Sequence, residues 1–114
     1  QIFTAMANEG GYVIVGRGAQ FVLKGHPKAL HVLLVADYES RVSFLMDQHK
    51  ISRSEAEKMI RAREKERTAL ASRLFEMDVD DASLYQIVLN TGMMPYDWVV
   101  ATVSELITRF MGRE

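Results

Sequence analysis

The chain has 114 residues with 48% hydrophobic and 25% charged side chains, enough apolar surface for a folded domain and too much for a disordered chain. Lys plus Arg number 14 and Asp plus Glu 15, a net charge of -1 that excludes a globally basic protein coating nucleic acid. Cys is absent, which excludes disulfides, thiolate metal sites and cysteine nucleophiles.

The cysteine-free composition points to a reducing compartment, and a cytoplasmic location is the expectation. The apolar runs fall far short of the ~20 residues that span a bilayer, so no membrane partner is expected, nor is a signal peptide visible. The first residue is Gln1 rather than Met, and we expect an excerpt of something longer.

In chain order, Ile2 to Glu9 reads as the end of a helix stopped by Gly10-Gly11. Tyr12-Val13-Ile14-Val15 is apolar without alternation, the pattern of a strand buried on both faces. Gly16-Arg17-Gly18 ends it, then a short helical turn over Ala19 to Leu23 and a loop around Gly25-His26-Pro27. Leu30 to Ala36 is a second buried strand, with His31 a hydrogen-bonded core residue. Asp37 suits the N-cap of a helix from Tyr38 to about His49, with Val42, Leu45 and Met46 inside.

Ser52-Arg53-Ser54-Glu55 is a capping box opening a long helix to about Phe75. The acidic turn Asp78-Val79-Asp80-Asp81 ends it and reads as solvated, since no Gly and Glu follow at calcium-loop spacing. Leu84 to Leu89 is a third strand. Pro95 stands first in a last helix to about Met111, whose buried face is Val99, Val103, Leu106, Ile107 and Phe110. Tyr96 and Trp98 read as core or interface anchors. The order β-α-β-α-α-β-α predicts an α/β fold with a parallel sheet and helices on its faces, and ligands beyond the carboxyl ends of the strands.

The long helix carries the chemical signal. Steps of three and four from Met59 reach Arg63, Arg67, Leu70 and Leu74, so two arginines occupy a face that is apolar before and after them. Residues 50–73 hold eight basic and four acidic side chains, and residues 74–81 hold four acidic and no basic ones. Arg63 and Arg67 form a like-charge pair, costing about 0.2–0.5 kcal/mol on an isolated helix. Two readings stay open: a solvated face laced with ion pairs, or an anion site in which guanidinium forks take phosphate oxygens bidentately. Arg17 has the same duality, as a loop arginine paired with a carboxylate or as a phosphate contact whose flanking glycines let a ligand approach. His26, His31 and His49 are too scattered for a metal site, and no metal ligands are assigned.

Taken together, these segments resemble the cytidylate kinase-like family over about Ile2 to Met111. Val13-Ile14-Val15-Gly16-Arg17-Gly18-Ala19 with Phe21-Val22-Leu23 resembles its strand-and-loop motif. Arg61 to Arg67 with Arg73 resembles its lid, and Asp80 to Tyr85 with Val88-Leu89-Asn90-Thr91-Gly92 resembles the segment after the lid and the last strand. The resemblance implies a three-layer P-loop NTPase-like parallel sheet, with about three strands retained and a helical lid over about 52–76, all in one partial domain across 1–114. It implies phosphoryl transfer from ATP, with Mg²⁺, to CMP or a similar nucleotide. It assigns catalytic roles to Arg63 and Arg67, and substrate binding to Arg17 with Gly16 and Gly18 and to Arg61 and Arg73.

Two positions depart from the family pattern. Gly18 stands where classical members have Asp, which bears on cytosine specificity, and Glu64 stands where the lid commonly has Asp. The phosphate loop G-x-x-x-x-G-K-[ST] is absent from these 114 residues. The expectation is therefore a C-terminal core and lid, inactive in isolation. The alternative is a non-catalytic binding or dimerisation module, pairing with a second copy or with the missing N-terminal part through an open sheet edge.

Overall fold

The computed structural model describes residues 2–15, 22–70 and 81–112. Gly16, Arg17, Gly18, Arg73 and the turn residues Asp78 and Asp80 lie outside the described residues, as does the expected lid tail beyond Leu70.

Helix α1, Ile2–Glu9, stops where the sequence places its stop. Gly10 adopts φ +85°, a left-handed conformation that costs glycine nothing, and its N–H bonds the carbonyl of Met6 at 2.9 Å. The segment after it corrects the first strand expectation. Residues 12–15 join no sheet among the described residues, and Val13 and Val15 are 91% and 85% exposed. Ile14 alone turns inward, against Leu23, Ala29 and Ala7. A β-branched run favours extended backbone, but a strand needs a neighbour to take its N–H and C=O groups, and no described segment supplies one.

Strand β1, Val32–Val35, and strand β2, Ile87–Asn90, make a two-stranded parallel sheet in the register Val32↔Ile87 to Val35↔Asn90. The described sheet thus has two strands where three were expected. β2 also begins three residues later than the apolar run, because Ala82–Leu84 forms a 3₁₀ turn. Asp81 caps that turn through Ser83 N at 2.9 Å and Ser83 Oγ at 2.7 Å. Gln86 aligns the two strands: its Oε1 accepts from His31 N at 2.7 Å, and its N–H donates to the His31 carbonyl at 2.9 Å. His31 is half-buried just before β1, with Nε2 3.3 Å from the Leu23 carbonyl, a structural placement.

Helix α2, Tyr38–His49, starts on Asp37, whose carboxylate accepts from Ser40 N at 3.1 Å. It ends at Lys50, which adopts φ 54° and bonds the Met46 carbonyl. Helix α3, Arg53–Leu70, opens on the capping box as expected: Glu55 N donates to Ser52 Oγ at 3.1 Å and Ser52 N to Glu55 Oε1 at 3.3 Å. The two helices form a hairpin around Val42, Leu45, Ala56 and Ile60, flanked by Met46, Ile51 and Met59. Helix α4, Tyr96–Met111, has Pro95 as N-cap, one position earlier than expected. It buries Val99 and half-buries Val103, Leu106 and Phe110, while Ile107, Trp98 and Tyr96 are 41%, 61% and 83% exposed. The two aromatic rings are thus not core anchors in this chain. Among the described residues the architecture is helix-rich α/β, and no described helix is long and apolar enough to cross a membrane.

Candidate functional site

The arginine helix is held against α2 by polar rungs on either side of the apolar contact. At its N-terminal end Arg53 grips Glu39 with both terminal nitrogens, at 2.9 and 2.7 Å. That bond and the Arg53 charge hold the Glu39 carboxyl below its usual range. One turn on, Tyr38 donates its hydroxyl to Glu57 Oε2 at 2.7 Å, which raises the pKa of the phenol because the bond holds the proton in place. Two turns further, Arg41 of α2 meets Glu64 of α3, Nη2 to Oε1, at 2.7 Å.

Arg67 donates to the same oxygen, Nη1 to Glu64 Oε1 at 3.3 Å. Two guanidinium groups from different helices therefore share one carboxylate oxygen. Beside them opens a cleft of about 540 Å³ lined by Arg63, Glu66, Arg67 and Leu70. Arg63 is exposed and makes no ion pair with the described residues. Helical spacing explains the pairing, since residues four apart lie one above the other on one face.

Of the residues singled out from sequence, the structure brings Arg63 and Arg67 to one cleft. It does not bring Arg61 there: that side chain is exposed and near enough to Tyr38 for its charge to act on the phenol. Arg17, Gly16, Gly18 and Arg73 lie outside the described residues. Glu64 laces Arg67 into an ion pair, while Arg63 makes none with the described residues. Arg41 was missed. It is the only Lys or Arg of α2, but its partner lies 23 residues away, and no local pattern reports such a contact.

A second polar group stands where the sheet rule puts ligands. At the carboxyl ends of β1 and β2, Asp37, Ser40, Asn90, Thr91 and Gly92 come together. Thr91 N donates to the Val35 carbonyl at 2.7 Å, and Gly92 N donates to Asn90 Oδ1 at 3.0 Å. A Cβ on Gly92 would stand 2.8 Å from Asp37 Oδ1 and 3.0 Å from Ser40 Oγ. The Asp37 carboxyl is held below its usual range, first by the Ser40 hydroxyl at 2.6 Å and then by the Ser40 backbone N–H. Its oxygens already accept two bonds from Ser40, so this group joins the two strand ends and caps α2.

The residues in hand suit an anion better than a metal. Arg63 and Arg67 present forks with the geometry of phosphate oxygens. Among the described residues no three His, Asp or Glu side chains come together, so no Mg²⁺ site is assigned to them and no step is routed through one.

The chain is 30% identical over 116 residues to a cytidylate kinase of Methanopyrus kandleri, covering 95% of this chain and 60% of that protein. It is also 28% identical over 102 residues to a uronate isomerase of Corynebacterium glutamicum, covering 90% of this chain and 20% of that one. The crystal structure of an uncharacterized protein from Eubacterium ventriosum superimposes with a TM-score of 0.79 at 21% identity, over 92% of this chain and 65% of that one, a likeness of fold. The chain thus spans less than two thirds of the length of each. The family pattern of cytidylate kinase-like proteins matches residues 1–93. The chain belongs to the cytidylate kinase-like family.

Proposed function

We propose that these residues form the C-terminal core and lid of a cytidylate kinase-like phosphotransferase and bind the phosphate groups of a nucleotide. The reading carries the P-loop type of sheet, ATP as donor and CMP or a similar nucleotide as acceptor, in the cytoplasm. The observation that carries it is the cleft lined by Arg63 and Arg67, with Arg41 joined to Arg67 through Glu64. Negative charge spreads over phosphoryl oxygens during transfer, and arginines beside the transferring group stabilise that charge. Mg²⁺, when bound, would neutralise charge between the phosphates. The chain's own residues would hold and orient the oxyanions, with Arg17 and Arg73 as further candidates.

The test is calorimetry with CMP and with ATP on the chain and on Arg67→Ala. A charge-assisted bond is worth about 1.5–3 kcal/mol, so Arg67→Ala should weaken binding about 10-fold or more. Equal affinity in both proteins removes Arg67 from the site. The 114 residues contain no phosphate loop, so no turnover of CMP with ATP is expected from them alone, and robust phosphorylation would overturn that part of the proposal.

A second reading, a binding or dimerisation module that retains the fold, draws support from the apolar surface. Val13, Val15 and Leu34 are 91%, 85% and 54% exposed, and the sheet among the described residues has two strands. Oligomeric state together with nucleotide affinity separates the two readings.

A further inference from the structure

Glu64 stands between the two arginines in a way that an anion site does not require. Its Oε1 accepts from Nη2 of Arg41 at 2.7 Å and from Nη1 of Arg67 at 3.3 Å. Both donors are terminal nitrogens of the guanidinium fork, and those are atoms with which arginine grips a phosphate bidentately. A carboxylate that only steadied Arg67 would best take Nε and leave both terminal nitrogens to the ligand. Glu64 instead takes one terminal nitrogen of each fork.

Charge leads to the same conclusion. Arg41, Arg67 and Glu64 sum to +1, with side chains 36%, 39% and 37% exposed. A phosphate group arriving at Arg67 meets a carboxylate already on the guanidinium. Either that carboxylate yields its bond or two negative charges sit side by side in partial shelter from water, where screening is incomplete.

We infer that Glu64 is a built-in competitor for the phosphate, an internal anion that occupies Arg67 until a phosphate oxyanion takes its place. The inference rests on the reading of the cleft as a phosphate site and adds a term to its affinity. Glu64 sets how strong an anion must be to bind, since a dianionic phosphate displaces it more readily than a monoanionic carboxylate or chloride.

The test is binding of inorganic tripolyphosphate by calorimetry to the chain and to Glu64→Gln, Arg41→Gln and the double variant, with circular dichroism to confirm folding. Glu64→Gln keeps the shape and removes the charge, so it should bind about 2- to 5-fold more tightly than the parent, the range of a partly exposed ion pair. With Arg41 removed, the carboxylate falls wholly on Arg67. Arg41→Gln/Glu64→Gln should then bind more tightly than Arg41→Gln, a rescue that loss of packing would not produce. A wild-type measurement accompanies these: the ¹³C resonance of the Glu64 carboxyl should shift as tripolyphosphate saturates the chain.

Equal or weaker binding by Glu64→Gln, with the parent binding measurably, overturns the competitor and leaves the phosphate site standing. A Glu64 resonance that stays unmoved at saturation does the same. Failure of both the parent and Glu64→Gln to bind tripolyphosphate overturns the phosphate site and the competitor together.

Discussion

At the scale of single residues, position 92 shows how a small side chain can serve two elements. A methyl there would stand 2.8 Å from Asp37 Oδ1, an oxygen that is occupied with Ser40. The Asp37 carboxylate would have to rotate away, giving up its bonds at the start of α2. Gly92→Ala is therefore expected to destabilise by about 1 kcal/mol, the low end for overpacking, read as a lower midpoint in urea with an unchanged slope. A midpoint within error of the parent would show that the strand ends separate freely. Arg63 and Arg67 were legible from the helix period alone, because an arginine on an otherwise apolar face is a local anomaly. Arg41 was not legible, since its role depends on which turn of α2 faces which turn of α3.

At the scale of elements, the α2–α3 hairpin shows local rules and packing in agreement. The Asp37 cap, the Ser52–Glu55 capping box and the apolar positions Val42 and Leu45 all fell where the sequence placed them. Each of these signals acts within a turn or on one helix face. The caps also give the hairpin a pH dependence of defined sign. Asp37 and Glu39 have folded pKa values below their unfolded ones, the first through Ser40 and the second through Arg53. Their stabilisation is complete above the unfolded carboxylate range near pH 4 and is lost as pH falls through the folded values. The thermal midpoint should therefore fall on acidification from about pH 5 towards pH 2, and fall less in Asp37→Asn/Glu39→Gln. An equal fall in both proteins would assign the acid sensitivity to other groups. Tyr12–Val15 is the contrary case. Its composition favours a strand, but strand formation is a property of pairs.

At the scale of the molecule, the exposed apolar surface is the dominant fact. Among the described residues Val13, Val15, Tyr96 and Trp98 are each more than half exposed, and exposed apolar patches mark interaction surfaces. If the chain is an assembly module, light scattering should give twice the 13.0 kDa chain mass. A dimer that binds no nucleotide would favour that reading over the phosphotransferase. A folded monomer without nucleotide affinity would disfavour both.

The sequence by itself determined helices α1 to α4, the Asp37 and Ser52–Glu55 caps, the arginine-bearing face and the family, because these follow from residues within a few positions of one another or from motifs in fixed order. Tertiary structure alone decided that Tyr12–Val15 stays outside the sheet and that Arg61 stands apart from Arg63 and Arg67. It also decided that Arg41 reaches across to share Glu64 with Arg67. Those outcomes turn on backbone partners and on distances between helices, which a one-dimensional pattern does not carry.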